Sequence, residues 1–136
     1  MADVAVRLNW TGTGLEFDGG ALGGPAIRID GERASGPSPM QLLLLSLAGC
    51  MAVDVVSILQ KMRAPLTGLE VSLEGDRAAS PPRRLTRIRL RFETRGLGPE
   101  HEAQLERAVA LSEQTYCSVL HTLRPDVETS TVLVLG

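Results

Sequence analysis

The chain has 136 residues, 43% of them hydrophobic, with 14 Lys+Arg against 16 Asp+Glu for a net charge of −2, which suits one compact core and excludes a charge-dominated, disordered chain. The near-neutral balance argues against nucleic acid, whose phosphates are held by an excess of Lys and Arg on one face. Met1-Ala2-Asp3-Val4 lacks the basic and apolar regions of a signal peptide, and the longest apolar stretch, residues 42–53, falls short of the roughly 18 needed to span a membrane. The expectation is a cytoplasmic protein of one domain, residues 1–136, working neither on nucleic acid nor in a membrane.

Residues 3–10 alternate, with Val4, Val6, Leu8 and Trp10 on one face, the period of a half-buried strand. Thr11-Gly12-Thr13-Gly14 makes a turn, residues 15–17 pair back as a second strand, and residues 26–30 form a third. No helix opens after the Gly19-Gly20 and Gly23-Gly24 doublets, so these are turn punctuation, not phosphate loops. In Ser38-Pro39-Met40-Gln41, serine fits the N-cap, proline the first helical position, and glutamine the return half of a capping box. The helix that starts there meets no breaker before Arg63-Ala64-Pro65, which predicts about 25 residues and roughly 37 Å. Its first half is apolar almost all round, so it needs cover on every side; a chain this small has limited material for that, and a homodimer is inferred.

Residues 69–76 place Leu69, Val71 and Leu73 inward, and residues 86–94 do the same with Ile88, Leu90 and Phe92. These two predict a hairpin with Ser80-Pro81-Pro82 in its loop, in which the outward Arg87, Arg89 and Arg91 face carboxylates across the ladder. The arginine cluster between residues 83 and 95 thus reads as a solvated, internally paired face. An amphipathic helix over residues 99–113 gathers Leu105, Ala108, Val109 and Ser112 on one side. Thr115-Tyr116-Cys117-Ser118 is a joint before a short helix ended by Pro125, and residues 127–135 make a last strand. The order β-β-β-α-β-β-α-α-β is an α+β pattern.

Cys50 and Cys117 are the only cysteines. They form no CxxC pair, and neither His101 nor His121 has a partner at metal-ligand spacing, so the chain calls for no cofactor and no metal. Both histidines read as surface or helix-end residues. In a reducing compartment a permanent disulfide is not expected. A functional thiol needs a cation, a helix N-terminus or a hydrogen-bond donor to favour its thiolate. Cys50 lies too deep in the long helix for the dipole to act, so an arginine is the natural supplier. Cys117, at the first turn of the short helix, has free backbone amides that suit a negative charge. From the residues alone, Cys50 reads first as a small core residue among Leu47, Ala48, Gly49 and Met51, and its chemistry stays open.

Four stretches carry a resemblance: Trp10-Thr11-Gly12; Ser38-Pro39-Met40-Gln41-Leu42-Leu43-Leu44 leading into Ala48-Gly49-Cys50; residues 52–61; and Tyr116-Cys117-Ser118-Val119. Together they resemble the OsmC/Ohr family of thiol-dependent peroxidases, closest to its YhfA-like branch, over essentially the whole chain. The resemblance implies a single OsmC-like domain in which antiparallel sheets wrap long central helices of an intertwined homodimer. It implies an organic hydroperoxide reductase for oxidative stress defence, with Cys50 as the peroxidatic thiol, Cys117 as the resolving one, and a dithiol as reductant. The resulting disulfide needs Cα atoms within about 4.4 to 6.8 Å. Apolar Leu43, Leu47, Met51 and Leu120 would suit an organic hydroperoxide.

Peroxidase branches of the family place an arginine after the first strand and a glutamate after the proline that opens the helix. Here residues 11–16 hold no arginine, and Met40 stands in the second place. Arg28 or Arg33 is then left to supply the cation, Glu32 to orient it, and Asp54, one turn beyond Cys50, to accept a proton or a hydrogen bond. An unpaired carboxylate beside Cys50 would raise its pKa instead. The alternative is a non-catalytic redox sensor or a dimer that binds a small hydrophobic ligand.

Overall fold

Alternating segments become strands and the capped apolar segment becomes a helix. A computed structural model describes residues 2–136, in the order β1 (Val6–Trp10), β2 (Glu16–Ala21), β3 (Ile27–Asp30), α1 (Pro39–Lys61), β4 (Gly68–Arg77), β5 (Leu85–Arg95), a 3-10 turn (Pro99–His101), α2 (Glu102–Leu111), a π-turn (Ser112–Tyr116), α3 (Ser118–Thr122) and β6 (Glu128–Leu135). The chain divides into two compact units, Met1–Leu43 and Leu44–Gly136.

The first unit is an antiparallel meander, β1-β2-β3. Gly12 and Gly14 take positive φ in its first turn, which side chains oppose, and the Trp10 indole donates to the Gly14 carbonyl at 3.0 Å. The expectation of a half-buried β1 fails: the strand is exposed throughout, Trp10 by 61%. Alternation selects a face, and the single sheet of this unit has no second layer to cover it. After β3, the buried Asp30 carboxylate accepts from the amides of Glu32 (2.8 Å), Ala34 (3.1 Å) and Ser35 (3.0 Å), and from the Ser35 hydroxyl (3.1 Å). These donors hold its pKa below the ordinary carboxylate value. One carboxylate therefore shapes the loop that carries Glu32 and Arg33.

The capping box of α1 forms as expected: the Gln41 amide donates to Ser38 Oγ at 3.2 Å and the Ser38 amide to Gln41 Oε1 at 2.9 Å. Leu47, Met51, Val55 and Leu59 recur at helical spacing and are fully buried. They share the core of the second unit with Ile88 and Phe92 of β5 and Leu105 and Ala108 of α2. The opposite face is bare, with Val53 69% exposed. Counting consecutive apolar residues understated this helix: its most apolar window has a mean hydropathy of 2.4, long and apolar enough by length and composition to cross a membrane. The buried face, which shares a core with Ile88, Phe92, Leu105 and Ala108, accounts for part of that apolarity.

Strands β4 and β5 pair antiparallel with Glu74 opposite Arg89 and Asp76 opposite Arg87. Arg89 grips Asp76 with two bonds of 2.8 and 3.0 Å, and Arg87 turns to Glu128 of β6. Arg84, Arg87, Arg89 and Arg91 of the cluster are thus paired with carboxylates of the chain. The antiparallel expectation holds for β1–β3 and for β4–β5, whereas β6 joins β5 in parallel after the crossover through α2 and α3.

Candidate redox site

Cys50 sits in the middle of α1 and is half-buried; Cys117 is 0% exposed, and both are free thiols. The place of Cys117 follows from the way α2 ends. Instead of stopping, α2 widens into the π-turn Ser112–Tyr116, closed by the Cys117 amide donating to the Ser112 carbonyl at 2.9 Å. Cys117 then turns extended, φ −73° and ψ 100°, and becomes the N-cap of α3. Its sulfur fills the position usually taken by a serine or aspartate oxygen, accepting from the Leu120 amide at 3.4 Å.

The Cys50 side chain lies near enough to the same sulfur to help raise its pKa. The second unit therefore brings the two cysteines together. Burial pushes the Cys117 thiol up to about 11, and the Leu120 and Val119 amides pull the other way without overcoming it. The expectation that backbone amides would favour a Cys117 thiolate is corrected on this point: the amides are in place, but the site is too dry for the anion.

Asp54 lies one helical turn beyond Cys50, and its Oδ2 accepts from Ser112 Oγ at 2.8 Å. It is a hydrogen-bond acceptor for the π-turn. Sequence reasoning placed Ser112 with Leu105, Ala108 and Val109 on a buried face and missed its hydroxyl. A serine among apolar residues at helical spacing was the available signal.

Arg28, Glu32 and Arg33 belong to the first unit. Arg28 Nε contacts Asp18 at 2.6 Å and its guanidinium lies 3.5 Å from Glu16. The pairing with Asp18 raises the arginine's pKa and holds the carboxyl below its usual range. Arg33 is exposed, sits in a left-handed conformation with φ 60°, and makes no ion pair among the described residues. The Glu32 amide is committed to Asp30.

Of the four apolar residues expected to contact substrate, Leu47 and Met51 are fully buried and present no surface in this chain. Leu43 and Leu120 are half-buried. Leu120 borders a groove of about 400 Å³ with Glu113, His121, Leu123, Pro125 and Val127.

Two sheets with a long apolar helix and facing thiols on separate segments define a two-cysteine protein of the OsmC/Ohr fold. The family model described as OsmC-like protein matches residues 31–132, and the chain belongs to that family. It is similar to Protein YhfA of Escherichia coli strain K12, 42% identical over 114 residues that cover 83% of this chain and 84% of that protein. Among solved structures, a hypothetical protein of Aquifex aeolicus superposes with a TM-score of 0.86 at 28% identity, over 100% of this chain and 98% of that one. An organic hydroperoxide resistance protein OsmC of Legionella pneumophila shares the fold, with a TM-score of 0.66 at 16% identity over 98% of each chain.

Proposed function

We propose that the protein reduces organic hydroperoxides through Cys50 and Cys117, as part of oxidative stress defence. The single observation that carries this reading is that the half-buried Cys50 faces a buried, protonated Cys117. Cys50 attacks the terminal oxygen of the hydroperoxide, the O–O bond breaks, and the thiol proton leaves with the alkoxide as an alcohol. Cys50 becomes a sulfenic acid. The Cys117 sulfur then attacks the Cys50 sulfur, the S–O bond breaks, and hydroxide departs with the Cys117 proton as water. A dithiol reductant exchanges with the disulfide, is itself oxidised to a disulfide, and restores both thiols.

The attack needs a cation to favour the Cys50 thiolate. Arg33 suits this role better than Arg28, whose guanidinium already has two carboxylate neighbours, and Glu32 is its natural orienter. The working form is an intertwined cytoplasmic homodimer, which would cover the bare faces of β1 and α1. Leu43 and Leu120 are the apolar groups open to an organic substrate. Relatives of this fold that are named organic hydroperoxide resistance proteins support the same reading.

The test is steady-state consumption of cumene hydroperoxide with dithiothreitol as reductant. Turnover that disappears in Cys50→Ser and exceeds the rate with hydrogen peroxide supports the proposal. Reversible disulfide formation without turnover would leave a redox sensor, and ligand protection without thiol oxidation a binding protein.

A further inference from the structure

Ser112 links the two segments that carry the thiols. Its side chain is 0% exposed, and its hydroxyl donates to Asp54 on α1 at 2.8 Å, one helical turn from Cys50. Its carbonyl accepts from the Cys117 amide at 2.9 Å, the bond that closes the π-turn. A path of two hydrogen bonds thus runs from the helix bearing one cysteine to the backbone of the other. The second bond depends on the wide turn: without the extra residue, the Cys117 amide would not reach the Ser112 carbonyl, and the cap that presents its sulfur would rotate.

We infer that Ser112 and Asp54 form a positioning latch that sets the approach of Cys117 to Cys50 and so controls how readily the disulfide closes. This rests on the proposed pairing of the two thiols, though not on any peroxide. The latch acts on resolution and not on the first oxidation. Cys50 is carried by α1, whose course is fixed by the buried Leu47, Met51 and Val55. Cys117 follows a turn of irregular backbone, and the buried serine bond ties this turn to α1. When the hydroxyl is lost, the Asp54 carboxylate loses a partner inside the protein and the π-turn is free to relax towards a tighter helix end. The thiol pair then spends less time in the geometry a disulfide demands.

The experiment is the dithiol–disulfide equilibrium of the intact protein in dithiothreitol redox buffers, read by thiol labelling and mass. Ser112→Ala is expected to shift this equilibrium about tenfold towards the dithiol, through a lower effective concentration of the Cys117 thiol at Cys50. The initial rate of Cys50 oxidation by cumene hydroperoxide should stay within about twofold of wild type, while dimedone trapping of the sulfenic acid rises, because Cys117 competes for it more slowly. Ser112→Thr, which keeps the hydroxyl, and Asp54→Asn, which keeps an acceptor, should recover most of the shift. Leu105→Ala supplies the control for simple destabilisation, since it weakens the same core without touching the latch. If Ser112→Ala fails to fold, the same comparison is made between wild type, Asp54→Asn and Asp54→Ala. A wild-type equilibrium in the latch-breaking variant, or an equal shift in Leu105→Ala, overturns the inference. A wild-type disulfide that forms in these buffers while the protein leaves hydroperoxide untouched would overturn the proposed function alone.

Discussion

The side chain of Cys50, on α1, faces the sulfur of Cys117, which caps α3 and accepts from the Leu120 amide at 3.4 Å. The two thiols differ in environment. Cys117 is fully buried and raised to about 11, while Cys50 is half-buried. In the native reduced protein at pH 8, iodoacetamide should therefore modify Cys50 first and Cys117 only slowly. Peptide mapping against time checks this, and equal rates would contradict it.

The raised Cys117 value also fixes a pH dependence of stability. Above the ordinary thiol value of 9.0 the unfolded chain loses this proton, while the folded chain keeps it until about 11. The unfolded state then binds fewer protons, and stability falls as pH rises through that window. Below pH 9 the contribution is fully present. Urea titrations of the reduced protein at pH 8 and pH 10 should show a loss at pH 10 that is smaller in Cys117→Ala.

Val53 on α1 and Trp10 on β1 are 69% and 61% exposed. Large apolar residues left in water on two elements are what a second copy would cover. Sedimentation should give a dimer for wild type. Val53→Glu should break it, because the charge would be buried unpaired at the interface; on a free surface the same change costs within about 0.5 kcal/mol. A monomeric wild type would remove the dimer from the account.

Arg33 and Arg28 make different predictions. Arg28 already has the Asp18 carboxylate at 2.6 Å, so Arg28→Gln should chiefly weaken the β2–β3 pair. Arg33 has no ion-pair partner among the described residues, and the proposed function assigns its charge to the Cys50 thiolate. Arg33→Gln should lower the rate of Cys50 oxidation about tenfold or more by removing a charge that favours the anion. Stopped-flow oxidation of both variants checks the order; a larger effect at Arg28 would reverse the assignment.

How much of this was legible follows from the physics of each element. The alternation of Ile88, Leu90 and Phe92 with Arg87, Arg89 and Arg91 gave both faces of β5, because a buried face and a charged one leave opposite patterns. Ser38 and Gln41 marked the start of α1 because a cap is a local device. The bare face of β1 was not legible, since alternation does not reveal what covers a strand. Nor was the parallel pairing of β6, which depends on the crossover through α2. At the site, the two cysteines stood out by composition, but the π-turn left no pattern and the Ser112–Asp54 bond joins segments far apart in sequence. The dryness around Cys117 is likewise a property of packing, so the local amides alone gave the wrong sign for its charge.

The most direct measurement is a titration of fully reduced protein with cumene hydroperoxide under anaerobic conditions, with free thiols counted and cysteine peptides mapped. The account predicts that one equivalent of hydroperoxide removes both thiols of each chain, yields one equivalent of alcohol, and joins Cys50 to Cys117 in a single peptide pair. Thiols that survive excess hydroperoxide, or a Cys50→Ser protein that consumes it equally well, would contradict it.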